Sequence, residues 1–477
     1  MTLRSLGAVL ALWLWAYASP LSAQVVAGKG AASAQAAPPA ALTPSQAVDQ
    51  LRGDFFYHTL AFYPALGARL GAQAAPSTSE LPDPKAYFES VDKRLSALEP
   101  SLTEMTPDER IDHAVIGIVA RNKLRLLGRS KSAPLGAPIG DEEYAWMLKN
   151  GHGIDETPQE LHARGLALAA EIRGRMERIA RELSPDKDLA AVLDELSDHR
   201  PSDDAELFRA YFQALVRARD FVTKSNLFDS SAHHNIGMSW TPANQRGLIA
   251  VAAYMPSPTF GASKVGTLWV TPTYGDPEKL KMHSFSRIAS LVAHEAFPGH
   301  DLQYYNFRDP SISPVRHLLE QNFLQSINVE GYALYAEELM RKMGFFTRKE
   351  ELMQLGMQLW RAYRIVVDTG FHTGTMTFQE VISTLNTEAF LPLPIARAEA
   401  RRYAQWPTQA VTYMVGRLQI EDLKERYKGI LGADYDEAQF HRRFMSFGPV
   451  RPSLIAPVML EEARKRKESR SFRPPAA

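Results

Sequence analysis

The sequence predicts a mainly helical protein with one large body and a small β element, which precedes the segment carrying its most distinctive motif. Three observations support this fold class. Residues that favour helices dominate most of the 477-residue chain. Apolar residues recur at intervals of three and four, as on one face of a helix. Glycine, proline, serine and threonine become frequent in the stretch 225–277, which contains two short runs rich in β-branched and aromatic residues.

The first 44 residues precede the predicted folded body. An apolar run from Leu6 to Ala18 follows a single positive charge and leads to small residues near Ala23, which is the order of a secretory signal peptide. We therefore expect residues 1–23 to direct export, with the mature protein in the periplasm and no stable membrane span after cleavage. The alternative is retention as an anchor, although the run is shorter than a span of about 20 residues. An Ala- and Pro-rich linker at 24–44 follows.

The folded body is predicted at 45–460, with a helical scaffold at 45–224 and a catalytic half at 225–460. A charged, basic tail at 461–477 is expected to be solvated. The clearest predicted helices are Pro84–Leu98, Glu160–Leu183, Ser284–Phe297, Leu318–Met343, Arg348–Thr369, Phe378–Leu385, Pro394–Gln405, Thr408–Tyr427 and Asp436–Phe447.

The β element consists of two runs, Leu248–Tyr254 and Thr267–Thr273. The second run alternates polar and apolar residues and is predicted to be an edge strand, because Pro272 cannot donate a hydrogen bond within a central ladder. Its position before the motif suggests that it pairs with an extended substrate through the backbone near Leu268 and Val270.

Composition excludes several classes of function and chemistry. Lys plus Arg equals Asp plus Glu, at 54 each, so no overall field attracts nucleic acid, and we expect no nucleic-acid partner. The chain has no cysteine, so thiolates cannot serve as nucleophile or metal ligand. Histidine, carboxylate, hydroxyl and basic side chains must therefore carry the chemistry.

The most distinctive motif is His-Glu-Ala-Phe-Pro-Gly-His, from His294 to His300. In His-Glu-x-x-His zinc sites the two histidines lie one helical turn apart and the glutamate lies beside the bound water. Here the histidines are six residues apart, so a regular helix turning about 100° per residue would point them to different sides. Pro298 and Gly299 predict a break in the helix that lets both imidazoles reach one ion, with Glu295 activating water. The alternative is a structural His294 before a simple helix end.

A third ligand is expected from the segment Asn328–Leu339. Glu330 and Glu337 lie seven residues apart on one helical face that also looks buried, and a buried carboxylate requires a metal or an ion pair. Glu330 precedes Gly331, which permits close approach of another helix. We therefore expect Glu330 to be the third ligand and Glu337 to accept a hydrogen bond from a ligand imidazole. A salt-bridged helix face is the alternative.

These two motifs together resemble the bacterial family catalogued as domain of unknown function 885. The resemblance extends over roughly Ser45 to Leu460, including Phe447-Gly448-Pro449-Val450 near the end. It implies a large helical zincin-like body, distantly similar to thimet-type oligopeptidases and thermostable carboxypeptidases, with two histidines and a glutamate binding Zn²⁺. Manganese and cobalt remain alternatives for such a ligand set.

The same resemblance implies further site residues. His372 and Tyr413 are expected to donate to the oxyanion of a tetrahedral intermediate, and Arg364 or Arg402 to bind a substrate carboxylate. For each of these four, a buried hydrogen bond or a helix-face ion pair is the alternative. The chain departs from the family pattern at three places, which puts the shape of the substrate pocket in doubt: Asp301, Thr375-Met376 and Tyr332.

The sequence thus predicts a zinc-dependent hydrolase of peptide or related amide bonds. Two alternatives are a metal-dependent amidase of a cell-wall or small-molecule substrate and a binding protein that retains the fold without catalysis. The presence of Glu295 beside the ligands argues against the latter. The sequence gives no prediction of oligomeric state, nor of cleavage within a peptide as opposed to at its end.

Overall fold

The computed structural model describes residues 42–72, 81–128, 136–228, 235–247 and 249–471. The predicted signal peptide, most of the linker and the last six residues lie outside these ranges. The first half of the chain contains the helices α1 (Pro44–Phe62), α2 (Pro64–Leu70), α3 (Pro84–Leu98), α4 (Pro107–Gly128), α5 (Asp141–Met147), α6 (Pro158–Leu183), α7 (Leu189–Asp198) and α8 (Asp204–Ser225).

The second half begins with three short strands and continues in helices, so the predicted mainly α fold class is confirmed. The strands are β1 (Gly237–Trp240), β2 (Ala252–Met255) and β3 (Thr267–Val270). The helices are α9 (Pro277–Lys281), α10 (Phe285–Glu295), α11 (His300–Asn306), α12 (Ser326–Lys342), α13 (Arg348–His372), α14 (Phe378–Thr387), α15 (Leu393–Gln405), α16 (Thr412–Leu431), α17 (Glu437–Met445) and α18 (Pro452–Ser471).

Local sequence signals account for several of the helix starts. Thr157 caps α6, where its side chain accepts from the backbone N–H of Glu160 and the Glu160 side chain accepts from the Thr157 N–H. Thr347 and Glu350 form the same reciprocal pair at the start of α13. Such capping boxes satisfy backbone donors that have no partner within the helix, and they fix where each helix begins.

The predicted helix Leu318–Met343 is interrupted. Gln321 is extended, and Asn322 and Phe323 have positive φ of 51° and 60°, so a 3₁₀ segment ends before α12 begins at Ser326. Asparagine tolerates this left-handed conformation better than most residues. The break places Glu330 near the start of α12, with most of that helix on its carboxyl side.

The predicted edge strand is the central strand of the sheet, which corrects the sequence analysis. The strand order is β1-β3-β2, with β3 parallel to β1 and antiparallel to β2. Pro272 lies beyond the end of β3 at Val270, so it removes no hydrogen bond from the ladder. Leu268 and Val270 are fully buried, and β3 is paired on both sides. Their backbone cannot add a substrate strand.

The two halves of the chain share one hydrophobic core. Helix α13 packs along α6, α12 packs along α16, and α10 packs against α8, α12 and α13. Connected buried residues extend from Leu51 in α1 to Ala463 in α18. Because α18 runs to Ser471, the first part of the segment expected to be a solvated tail is helical, and its Ala463 is buried. Within the described residues, no helix is long and apolar enough to cross a bilayer.

Candidate metal centre

The His-Glu-Ala-Phe-Pro-Gly-His motif lies at a break between two helices. Helix α10 ends at Glu295, Ala296 has φ −122° and ψ −93°, and α11 begins at His300. The Phe297–Pro298 peptide bond is cis. Gly299 is in close contact with the preceding helix, since a Cβ at this position would lie 1.8 Å from the carbonyl oxygen of His294. The two extra residues of the motif are therefore accommodated outside the helix, as the sequence suggested.

This break brings His294, His300 and Glu330 together. One ligand atom from each of the three side chains lies within 4.8 Å of the others. Glu330 Oε2 is 3.5 Å from His294 Nε2 and 3.4 Å from His300 Nε2. Ligands bound at about 2.0–2.1 Å to one tetrahedral zinc ion lie about 3.4 Å from each other. The residues present therefore fit a zinc ion with three protein ligands and leave a fourth position for a reactant.

Two carboxylates, Glu330 and Glu337, flank the imidazole of His294. His294 Nδ1 is 2.8 Å from Glu337 Oε1, and Ser290 donates to the other oxygen of Glu337 at 2.8 Å. Burial by itself lowers the pKa of His294, but the hydrogen bonds to Glu330 and Glu337 outweigh it and raise this pKa to about 9. The surroundings thus favour a positive charge at this point, which a divalent cation supplies.

Glu330 shows the complementary effect. Burial raises the pKa of its carboxyl group, but hydrogen bonds from His294 and His300 lower it well below its usual value. The carboxylate side chain is 20% exposed, whereas that of His294 is 4% exposed. The cluster is thus buried on the side of the imidazoles and more open at the carboxylate.

Glu295 is held at the edge of the sheet. Its Oε2 accepts a 2.8 Å hydrogen bond from the backbone N–H of Tyr254 in β2. The carbonyl oxygen of Val251 accepts a hydrogen bond from the backbone N–H of Thr271, which follows β3, so the backbone groups of Val251 face β3. Because successive residues of a strand alternate in direction, the N–H groups of Ala252 and Tyr254 point away from β3. The half-buried carboxylate that follows the ligand His294 is therefore fixed beside the free edge of β2.

Two glycines set the position of Glu330 relative to α16. A Cβ at Gly416 would lie 2.0 Å from the Ile327 carbonyl oxygen, and one at Gly331 would lie 2.6 Å from backbone atoms of Gly416. Only glycine permits α12 and α16 to approach this closely. The contact also brings Tyr413, one turn before Gly416, next to the ligand cluster.

Tyr413 lies beside the candidate metal ligands. Its ring is nearly parallel to that of His294, with centroids 6.4 Å apart and planes 10° apart. Burial raises the pKa of its hydroxyl, and the carboxylate of Glu330 raises it further, so the hydroxyl remains protonated and can donate. Gln409 Nε2 is 3.4 Å from that hydroxyl.

His372 has a different environment from the one expected of an oxyanion donor. It is fully buried at the end of α13, and its Nε2 donates to the carbonyl oxygen of Tyr403 at 3.0 Å. Its ring stacks on Tyr144, with centroids 5.7 Å apart, and Asp368 Oδ1 is 3.9 Å away. In the described part of the chain, none of the hydrogen bonds, ion pairs or ring contacts of His372 reaches the ligand cluster. These interactions account for His372 as a structural histidine and do not support the predicted role as an oxyanion donor.

Arg364 and Arg402 are both close to Glu399. Glu399 Oε2 is 3.3 Å from Arg364 Nη2 and 2.6 Å from Arg402 Nη2. Burial raises the pKa of Glu399, but the two guanidinium charges outweigh it and lower this pKa to about 2. The guanidinium carbon of Arg364 lies 4.2 Å from the centroid of the Tyr413 ring. Arg364 is therefore the nearer of the two to the metal centre.

Three contributors to the site were missed by the sequence analysis. Ser290 precedes His294 by one helical turn, so helical spacing could have identified it. Glu399 precedes Arg402 by three residues, so helical spacing could likewise have identified it as a partner of Arg402. The N–H of Tyr254 belongs to the backbone of a distant strand, and no sequence signal identifies it.

Of the departures from the family pattern, Tyr332 and Asp301 are each only 1% exposed.

Solved structures show the same fold in other proteins. A candidate lipoprotein of unknown function from Shewanella oneidensis superposes with a TM-score of 0.69 at 18% identity, covering 88% of this chain and 100% of that one. A candidate lipoprotein from Colwellia psychrerythraea gives a TM-score of 0.62 at 22% identity, covering 89% and 77%. Metallocarboxypeptidase 1 of Trypanosoma cruzi gives only 0.28 at 12% identity, covering 90% and 99%, and that value supports no argument.

A search of curated proteins found no match. The model of one protein family matches residues 26–459, which includes all three candidate ligands and Glu295. The family predicted from the paired motifs is thereby confirmed, and the chain belongs to the family described as bacterial protein of unknown function, DUF885.

Proposed function

We propose that the protein is a zinc-dependent hydrolase of peptide or closely related amide bonds. The observation that carries this proposal is the convergence of His294, His300 and Glu330 within 4.8 Å, with Glu295 directly following the first ligand. Two histidines and one glutamate form a catalytic type of zinc site, because they leave a coordination position for water or substrate.

Each side chain has a definite task in this proposal. When bound, the zinc ion supplies Lewis-acid activation of the amide carbonyl and of water. Glu295 accepts the proton of the attacking water and delivers it to the leaving nitrogen. The Tyr413 hydroxyl donates a hydrogen bond to the developing oxyanion. Glu337 holds His294 in the tautomer that leaves Nε2 available to the metal.

We further propose that the mature protein is released into the periplasm. The apolar run Leu6–Ala18 supports export, as does the description of two structural relatives as candidate lipoproteins. This chain has no cysteine to carry a lipid, so cleavage near Ala23 is the expected outcome. Amino-terminal sequencing of the protein from a periplasmic fraction tests this, and an intact amino terminus in the membrane fraction would refute it.

The test of the function uses Glu295→Gln. The purified protein is expected to contain one zinc per chain by mass spectrometry and to hydrolyse members of a peptide library, with activity lost to a chelator and restored by zinc. Glu295→Gln should retain zinc and lose at least about 100-fold in kcat, the range of general-base catalysis. Glu278→Gln is the matched control, because Glu278 is an exposed carboxylate paired with Lys281.

Two results would contradict the proposal. Unchanged turnover in Glu295→Gln would remove this residue from the mechanism. Zinc binding without hydrolysis of any peptide or amide, accompanied by peptide binding, would identify a binding protein. Hydrolysis confined to non-peptide amides would leave the site residues in place and replace the peptide substrate by another amide.

A further inference from the structure

A cluster of buried and half-buried polar side chains lies next to Tyr413. We call it the arginine cluster, and it consists of Arg364, Glu399, Arg402, Tyr403 and Gln409. Besides its contacts to Glu399, Arg364 donates from Nε to the Tyr403 hydroxyl at 2.8 Å, and Arg402 donates from Nη1 to Gln409 at 3.0 Å. The cluster therefore has a fixed arrangement before any ligand binds.

The cluster carries more positive than negative charge. Glu399 is the one carboxylate within salt-bridge distance of either guanidinium among the described residues. Two guanidinium cations and one carboxylate leave the cluster itself with a net positive charge. Arg364 is only 4% exposed, so this charge is held largely away from water. A net positive charge held away from bulk water attracts an anion more strongly than the same charge at the surface would.

Arg364 also has an unused donor. Its Nη1 is buried and has no hydrogen-bond partner in the described part of the chain, although Nε and Nη2 are both engaged. The guanidinium is held by aromatic rings, with its carbon 4.4 Å from the Trp360 centroid and 4.2 Å from that of Tyr413. A planar donor that is already oriented suits a planar carboxylate, and hydrogen bonds between two charged groups are the strong kind.

The distance to the metal centre fits the end of a peptide. The Arg364 guanidinium carbon is 4.2 Å from the centroid of the Tyr413 ring, and that centroid is 6.4 Å from the centroid of the candidate ligand His294. Successive Cα atoms of a peptide are about 3.8 Å apart, so the terminal carboxylate lies only one or two residues beyond the bond being cleaved. Partial exposure of the Glu399 and Arg402 side chains, at 18% and 21%, shows that the cluster reaches solvent.

We propose that Arg364 binds the α-carboxylate of a peptide substrate, so that the enzyme removes residues from the carboxyl end. This inference rests on the proposed hydrolase function and gives it a substrate class, which is peptides with a free terminal carboxylate. Glu399 and Arg402 are positioning residues, because they act by fixing the guanidinium of Arg364. Blocking the terminal carboxylate as an amide removes the negative charge that the cluster selects.

The test compares N-blocked tetra-alanine with its carboxyl-terminal amide. The wild-type protein is expected to favour the free acid by about 10–100-fold in kcat/KM, the range of a hydrogen bond to a charged group. In Arg364→Gln the ratio of kcat/KM for the free acid to kcat/KM for the amide should fall to about one, because KM for the free acid rises. Arg364→Lys keeps the charge but not the planar fork and should give an intermediate ratio. Arg401→Gln, an exposed neighbour of Arg402, should keep the wild-type ratio.

A third substrate distinguishes a terminal carboxylate from a side-chain one. The amidated peptide with a terminal aspartate should be cleaved no better than the amidated alanine peptide; if it matches the free acid, the terminal-carboxylate proposal is overturned. Equal kcat/KM for acid and amide in the wild-type protein also overturns it.

A binding measurement tests the role of Arg364 even if the protein is not a hydrolase. If no peptide is cleaved, calorimetric titration of zinc-loaded Glu295→Gln still measures recognition. Tighter binding of the free acid, lost on combination with Arg364→Gln, supports the role of Arg364. Equal affinities, or no binding of either peptide, refute it.

Discussion

Nδ1 of His294 lies 2.8 Å from Oε1 of Glu337, a carboxylate that is itself only 1% exposed. This contact fixes the tautomer of His294, because Nδ1 carries the proton and Nε2 faces Glu330 and His300. Glu337→Gln removes the negative charge and weakens the hold on the imidazole. We expect zinc affinity to fall by about 10–100-fold, as for other partners of metal-ligating histidines.

Competition with a chromogenic chelator measures this change. The neighbouring Glu338 provides the matched control, since it pairs with Arg341 at 2.7 Å and has no contact with the ligand cluster in the described structure. Glu338→Gln should alter zinc affinity by less than about 2-fold. Equal affinities of Glu337→Gln and wild type would show that Glu337 does not position the ligand.

The break between α10 and α11 depends on Gly299. In Gly299→Ala the new Cβ would lie 1.8 Å from the His294 carbonyl oxygen, so the backbone must move and His300 moves with it. We expect zinc to be lost from the purified protein, or the protein to unfold at a much lower temperature. Gly429→Ala is the control, because nothing lies within 4 Å of its added Cβ. Retention of zinc at wild-type affinity in Gly299→Ala would contradict the role of this break.

Gly416→Ala tests the close contact of α12 and α16. The added Cβ would approach the Ile327 carbonyl oxygen to 2.0 Å, which is far inside van der Waals contact. We expect the free energy of unfolding to decrease by at least about 1–3 kcal/mol, the usual cost of overpacking, as measured by urea denaturation. The same change in α6, Gly174→Ala, has space for the Cβ and should be neutral or stabilising by up to about 1 kcal/mol. Equal effects of the two variants would refute the expected steric conflict.

We predict that an extended peptide substrate pairs with the edge of β2 that faces away from β3. Ala252 directs its N–H away from β3, on the same side as the Tyr254 N–H that binds Glu295. Ala252→Pro removes this donor, and we expect KM for a peptide to rise several-fold while zinc content stays the same. Ala253→Pro, whose N–H faces β3, should instead lower the unfolding temperature. An unchanged KM in a folded Ala252→Pro protein would exclude substrate pairing at this edge.

Buried histidines predict a loss of stability in mild acid. Burial lowers the pKa of His152, His283 and His441 to about 3 from an unfolded value near 6.5. Between these values the unfolded chain binds protons that the folded chain does not, so stability falls as pH decreases from about 6.5. Each histidine contributes at most about 1.4 kcal/mol per pH unit in this window.

Urea denaturation of the metal-free protein at pH 6.5, 6.0, 5.5 and 5.0 measures this effect without metal release, and below the range where the raised pKa of His294 gives a slope of opposite sign. Above about pH 7.5 these three histidines are neutral in both the folded and the unfolded state, so they add no pH dependence to the free energy of unfolding. His441→Gln should reduce the slope between pH 6 and 5, since Gln can still bond to the Tyr335 hydroxyl that contacts His441 at 2.7 Å. An unchanged slope in this variant would show that His441 does not titrate on unfolding.

Some elements could be predicted because their signals are local. The helix Pro84–Leu98 was predicted with the bounds that the structure shows, and Thr157-Pro158 indicated the start of α6. The interruption after Glu295 was predictable because proline cannot continue the hydrogen bonding of a helix and glycine tolerates unusual angles. In each case a few neighbouring residues contain the whole physical cause.

Other features depended on partners that are distant in sequence. The strand Thr267–Val270 looked like an edge strand, but its place in the sheet is decided by β1 and β2 on either side. The sequence predicts His372 as an oxyanion donor, but its Nε2 donates its hydrogen bond to the carbonyl oxygen of Tyr403. The strand order and this hydrogen bond are set by packing between separate segments, which single-segment patterns do not encode.

The sequence by itself determined the helical class and the family and predicted the four residues of the candidate metal centre, because residue type and short-range spacing carry that information. Only the tertiary structure decided that Glu330 approaches both imidazoles, that the N–H of Tyr254 holds Glu295 and that Arg364 packs against the ring of Tyr413. Each of these depends on how elements far apart in the chain pack together. The contact of Gly331 with Gly416 is the clearest case, since the absence of two side chains sets the distance between two helices.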